Sequence, residues 1–199
     1  PPPPPQAWEW LAYVKLRAAA GDMGLGARVE TEARRIIHEA ALREDTDVLR
    51  AETLRVRERL ESEKGARRAA GKIDIKYGPG GMLDVYFATR FLQLRDNVPD
   101  DGADRSTRAT LESLRRAGPL AEQDYEALAA GYALLRELDH WLRLVVGRST
   151  RLPSPDHPAL CDIARKLGHD SAPSLLETLS RHTQAIRAAY ERIMKSSDD

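Results

Sequence analysis

An all-α fold, a bundle of seven or eight helices, is what this sequence predicts, and three observations predict it. The 199 residues are rich in Ala, Leu, Arg and Glu, the residues that cost least in a helix. Apolar positions recur with the 3.6-residue period in most segments longer than ten residues. Strict alternation appears only once, in a short run at Ile73, Ile75 and Tyr77, so no sheet of any size is expected.

The elements follow in order. Pro1–Pro5 form a polyproline spacer, and residues 1–7 read as a Pro-rich linker or fragment edge. A first helix is expected over Trp8–Ala20, with Trp8, Leu11, Ala12 and Leu16 or Lys15 on successive turns and Gly21 as its stop. Gly24 and Gly26 loosen the approach to a second helix over Ala27–Arg43, whose stripe is Val29, Ala33, Ile36, Ile37 and Ala40. A third, over Asp45–Lys64, has a thin apolar stripe (Val48 or Leu49, Val56, Leu60). It is otherwise laced with i,i+4 ion pairs: Arg57–Glu61, Arg59–Glu63 and Glu63–Arg67. Such pairs contribute about 0.2–0.5 kcal/mol each, and this face reads as solvated.

Residues 65–81 are the irregular interval. Gly80 then opens a helix to about Asn97. Its apolar residues nearly encircle it, which places it at the centre of the bundle. A polar loop over Val98–Asp104 leads to a short helix over Ser106–Ala117, ended by Gly118-Pro119. The longest helix spans Leu120–Val146 and buries Leu128, Tyr132, Leu135, Leu138, Leu142 and Val145. Ser154-Pro155 supply a cap and first-turn proline for the next helix, which Gly168 closes and whose core face carries Cys161. Ser171 starts the last helix, with Leu175, Leu179, His182, Ile186, Ala189 and Ile193 on one face. Residues 8–195 are thus expected to form one helical domain, and 196–199 a frayed tail.

Composition excludes several functions. Basic and acidic residues number 31 each, so no global field draws the chain to nucleic acid or to an anionic membrane. One cysteine permits neither an intramolecular disulfide nor a Cys-rich zinc site, and suits a reducing, cytoplasmic compartment. No apolar run is long enough to span a bilayer. The five histidines are scattered, and no serine-hydrolase elbow, phosphate-loop lysine motif or His-Glu-x-x-His occurs.

Two places carry candidate chemistry. Lys15 and Arg17 interrupt the apolar run of the first helix; either one of them faces an acidic group or both snorkel to solvent. Gly78-Pro79-Gly80-Gly81 precede a helix N-terminus, where free N–H groups and the helix dipole favour anions, and Lys76 lies close by. Asp84, alone among apolar neighbours in the first turn, needs a partner if buried: Lys76, Lys15, Arg17 or a metal-bound nucleotide. The alternative is that the glycines serve chain geometry and Asp84 caps its own helix.

Three stretches together are more specific. "WEWLAYVKLRAAAGD" at Trp8–Asp22, "IDIKYGPGGMLDVYF" at Ile73–Phe87 and "LAAGYALLRELDHWLRLVVGRSTRLP" at Leu128–Pro153 resemble, in that order, the helical domain of glutamine synthetase adenylyltransferases. Similar domains stand beside protein-PII uridylyltransferases. The resemblance implies a helical, non-catalytic module that packs on a nucleotidyltransferase domain of the same polypeptide. It implies ATP and magnesium in the intact enzyme, AMP transfer to or from a tyrosine of glutamine synthetase, and a PII-type signalling protein as a candidate further partner. Lys15, Arg17, Lys76, Gly80, Gly81 and Asp84 would then line a nucleotide or substrate cleft. No cofactor is expected in this chain itself. The Gly-Ser and Asp-x-Asp motif that holds the metals is missing, since Gly147-Arg148-Ser149 is not followed by paired carboxylates, so the chain alone is expected to be inactive. Two positions depart from the family pattern: Tyr86 replaces a glutamate and Arg90 a glutamine. The competing reading is a free-standing helical interaction protein that binds a nitrogen-signalling partner through Arg55, Arg57 and Arg59.

Overall fold

The structure, a computed structural model, describes residues 6–65, 73–147 and 149–195. The proline spacer, Lys72, Arg67 with its pair to Glu63, Arg148 and the tail at 196–199 lie outside the described residues. Eight α-helices account for the described fold: α1 (Ala7–Tyr13), α2 (Met23–Arg43), α3 (Thr46–Leu60), α4 (Met82–Arg95), α5 (Thr107–Ala117), α6 (Glu122–Val145), α7 (Pro158–Lys166) and α8 (Ala172–Ile193). A π-helical turn, Glu61–Gly65, continues α3. The chain is all-α. The strand-like alternation at Ile73–Tyr77 yields only an isolated antiparallel bridge, Asp74 to Arg151, flanked by Ile75 N–H to the Thr150 carbonyl and Leu152 N–H to the Ile73 carbonyl, each 2.9 Å.

The contacts divide the chain into two compact units, with divisions inside α3, inside α4 and at the start of α6. One unit takes α1, α2, α3 to Val56, α4 from Phe87, and α5. Its buried apolar residues include Trp10, Leu11, Val14, Ile37, Leu49, Phe91, Leu92, Leu111 and Leu114. Glu30 on α2 ties two loops here. It accepts from the Ala18 N–H and pairs with Arg105 at 2.8 Å, so its carboxyl pKa is lowered, first by Arg105 and then by Ala18.

The other unit runs from Arg57 to Tyr86 and from Glu122 to Lys195. Here α6 and α8 pack along Leu128, Leu135, Leu138 and Leu142 against Leu175, Leu179, Ile186 and Ala189, all buried. Asp124 near the start of α6 pairs with Arg192 near the end of α8 at 2.6 Å, which suits antiparallel neighbours.

Several element boundaries and faces differ from expectation. The first helix stops at Tyr13, well before Ala20, and α2 begins earlier, at Met23, because Asp22 caps it by accepting the Leu25 N–H at 3.0 Å. Gly24 and Gly26 therefore lie inside a helix. Of the expected stripe, Ile37 is buried, Ala33 and Ala40 are partly buried, and Val29 and Ile36 face outward; His38 and Ala41 join Ile37 on the inner face. Val48 and Val145 are likewise exposed, while Leu49 is buried. The seventh helix starts at Pro158 under a His157 cap, whose Nδ1 accepts from Ala159, and not at Ser154. Cys161 is exposed, since Leu160, Ile163 and Ala164 take the inward face of α7. His140 is exposed, and His182 is only partly buried. Ser106, Gly118 and Ser171 cap their helices as the sequence predicts.

Candidate functional site

The glycine-rich turn enters α4 through a dense set of backbone bonds. The Gly78 N–H donates to the Asp74 carbonyl at 3.1 Å and the Gly81 N–H to that of Gly78 at 3.0 Å. Met82 donates to Ile75, Leu83 to Lys76 and Asp84 to Gly81, at 3.0–3.1 Å. The Asp74 carboxylate also accepts from the Lys76 and Tyr77 N–H groups. The donors that a helix start normally leaves free are therefore used within the chain.

Gly80 has φ +67°, the left-handed region that glycine enters at little cost. A Cβ there would lie 1.9 Å from the Thr183 carbonyl oxygen of α8. The missing side chain is what lets the turn lie against that helix.

Asp84 is the pivot of the turn and is fully buried. Its Oδ2 accepts the Gly80 N–H at 2.7 Å, so the carboxylate does cap its own helix. Its Oδ1 accepts from Arg57 Nε at 2.5 Å, and Arg187 Nη1 stands 3.4 Å from Oδ2. Arg57 is itself buried, donates through Nη2 to the Gly78 carbonyl at 3.1 Å, and meets Glu61 at 3.1 Å through Nη1. Burial of a charge demands this kind of pairing. The partner is thus Arg57, joined by Arg187, and none of the cations proposed from sequence.

The i,i+4 spacing to Glu61 alone predicts a solvated face for Arg57, which the structure buries. A signal for burial was present. Leu49, Thr53 and Arg57 recur every four residues, and all three are buried. Arg55 and Arg59 do lie outward, with Arg55 bound to Glu52 and Arg59 to Glu63. An outward patch built from all three arginines is therefore not formed.

Tyr190 on α8 completes this neighbourhood. Arg187 lies over its ring at 5.4 Å from the centroid. Its buried hydroxyl has no hydrogen-bond partner among the described residues, and desolvation, followed by the nearby Asp84 charge, pushes its pKa up.

The six candidate residues fall into two groups. Lys76, Gly80, Gly81 and Asp84 belong to the unit just described. Lys76 is half-buried, with its ammonium 5.2 Å from the Tyr77 ring centroid. Lys15 and Arg17 belong to the first unit, beyond the end of α1, and both are exposed. Desolvation still lowers the Lys15 pKa. Arg90 and Arg17 add to this, and Asp100 opposes it. Arg90, where the family pattern has glutamine, is fully buried; it donates to Gln93 and stands 3.9 Å from Asp100.

A cavity of about 390 Å³ lies elsewhere in the first unit. It is lined by α2 residues that include Arg34, Arg35, His38 and Leu42, and by Asn97 and Pro99. None of the six candidates lines it. His38 is buried, and burial lowers its pKa. Among the described residues, no group of three or more His, Cys, Asp or Glu side chains could hold a metal ion, and no helix is long and apolar enough to cross a membrane.

Residues 54–194 match the model of a family described as GlnD PII-uridylyltransferase. Curated relatives carry the name bifunctional glutamine synthetase adenylyltransferase/adenylyl-removing enzyme. Those of Streptomyces coelicolor and Mycobacterium avium are 32% and 34% identical to this chain over 193 and 198 residues. That of Nitrosomonas europaea is 32% identical over 190. Each alignment covers 94% of this chain but only 19–20% of the relative, so the chain spans about a fifth of their length.

Proposed function

The chain belongs to the GlnD PII-uridylyltransferase family, and from that membership we propose that it is the helical module of a glutamine synthetase adenylyltransferase/adenylyl-removing polypeptide. The observation that carries this reading is the match of nearly the whole chain to a fifth of enzymes bearing that name. The module packs on a nucleotidyltransferase domain and helps to bind ATP or glutamine synthetase while AMP moves to or from a tyrosine. A PII-type signalling protein is a further candidate partner. The setting is cytoplasmic.

Magnesium and ATP chemistry belongs to the catalytic domain in this reading. Asp84 does not suit a magnesium ligand, because both carboxylate oxygens are engaged by Arg57, Gly80 and Arg187. The backbone amides of Gly80 and Gly81 are also engaged, with the Asp84 carboxylate and the Gly78 carbonyl. They support the wall of a cleft by shaping the turn. Lys15, Arg17 and Lys76 carry ammonium or guanidinium groups, the chemistry suited to phosphates or an acidic protein surface.

The test has two parts. The chain alone, given ATP, magnesium and glutamine synthetase, transfers no labelled AMP; transfer by the chain alone would refute the module. In the full polypeptide, Lys15→Ala, Arg17→Ala and Lys76→Ala raise the KM for ATP or for glutamine synthetase. Unchanged KM and turnover in all three would remove the cleft role.

A further inference from the structure

Helix α2 buries Ile37 but carries most of its large apolar side chains on the outside. Leu25, Val29 and Ile36 are 52%, 53% and 50% exposed. At ~100° per residue they fall within about 40° of one another, and they extend along roughly 16 Å of helix. Single exposed apolar residues are ordinary on a soluble protein, but an aligned row is not.

The ground on either side of the row differs. Ala33 and Ala40 flank it on one side and are partly buried. Small residues there allow another backbone to come close. On the other side Glu32, Arg35 and Glu39 form a chain of ion pairs, each 2.6 Å long. These charges are already satisfied on the helix and would need no partner when water is excluded. A narrow apolar ridge with a small-residue shoulder and a self-neutralised charged edge is the surface that one helix offers to another.

We propose that the outer face of α2, centred on Val29, is the seam on which an amphipathic helix of a further domain of the same polypeptide docks. This rests on the reading given under Proposed function. The occupant follows from length: this chain corresponds to about a fifth of relatives that align with nearly all of it, so in such a polypeptide most of the mass available to cover this ridge is covalently attached. Attachment raises the effective concentration of the covering helix and allows a modest ridge to suffice.

The test is thiol accessibility. Cys161, which is exposed, is first replaced by serine, and Val29→Cys is introduced. Reaction with a chromogenic disulfide reagent is timed in this chain and in the native polypeptide that carries it. The thiol reacts freely in the chain alone and at least roughly tenfold more slowly in the longer polypeptide. Val29→Glu leaves the melting temperature of the chain alone unchanged and lowers that of the longer polypeptide. Equal thiol reactivity in both overturns the seam. So does light scattering that shows the chain alone to be a dimer which Val29→Glu dissociates, because the occupant is then a second copy. Adenylylation of glutamine synthetase by the unsubstituted polypeptide is measured alongside. Protection without activity keeps the seam and removes the functional reading; activity without protection does the reverse.

Discussion

Arg57 and Asp84 form a buried ion pair, 2.5 Å from Nε to Oδ1, that joins the end of α3 to the first turn of α4. The pair is also a hub, because Asp84 caps the turn through Gly80 and Arg57 grips the Gly78 carbonyl. Removing either partner leaves the other buried with only its second, partly exposed counter-charge, Arg187 for Asp84 and Glu61 for Arg57, so the cost falls at the low end of about 3–5 kcal/mol. Arg57→Ala and Asp84→Ala are each expected to lower the unfolding free energy in urea by that amount. The double replacement Arg57→Met with Asp84→Leu should cost less than the sum of the singles, though the Gly80 N–H then lacks its acceptor. Additive losses in the double-mutant cycle would show that the two side chains do not act as a pair.

Gly80 and Gly118 separate two costs that a glycine replacement can carry. Both have positive φ, +67° and +99°. A Cβ at Gly118 meets nothing within 4 Å, whereas one at Gly80 runs into the Thr183 carbonyl. Gly118→Ala therefore pays only the left-handed backbone penalty, about 1–2 kcal/mol. Gly80→Ala adds an overpacking cost of about 1–3 kcal/mol more, because the neighbour is backbone and cannot swing away. Equal urea midpoints for the two variants would refute the close approach of the turn to α8.

The fold class was legible because helix period and composition agree along the chain, and most caps are local signals. Ser106 with Gly118, and Ser171, set their ends by side-chain and backbone bonds a few residues away. The faces were less legible where a helix is apolar on two sides. α2 has Val29 and Ile36 on one and Ile37 and Ala41 on the other, and only tertiary contact decides which is buried. The glycine turn could be located but not its use. That Asp84 needs a partner follows from burial, but the partner lies 27 residues back, on a helix whose charges looked solvated. Local spacing favours Glu61 for Arg57, and the structure gives Arg57 both carboxylates.

Cys161 tests the orientation of α7. Its exposed side chain should react stoichiometrically with a thiol reagent in the native chain, before any unfolding. Cys161→Ser should leave the urea midpoint within about 0.5 kcal/mol of the parent, as for other surface replacements. A thiol that reacts only in denaturant would turn α7 over and return Cys161 to the core.

His38 gives the chain a defined response to acid. Burial lowers its folded pKa below the ordinary 6.5, with Arg34 adding to the effect; Asn97 and Asp100 oppose it, although among the described residues no ring nitrogen meets a partner at full hydrogen-bond geometry. The unfolded chain then binds the proton more readily than the folded one. Stability is at its full value above the unfolded pKa, declines as pH falls through it, and levels off below the folded pKa. His182, also lowered by desolvation, contributes in the same direction. Glu30 adds a second decline only in stronger acid, because its pKa is lowered from 4.5. Melting temperatures taken from about pH 7.5 to about pH 5.5 should therefore fall, and the double replacement His38→Leu with His182→Leu should flatten that fall while leaving the one near pH 4 in place. A fall of the same size in the double variant would move the acid response to other groups and leave His38 as a neutral filler of α2's inner face.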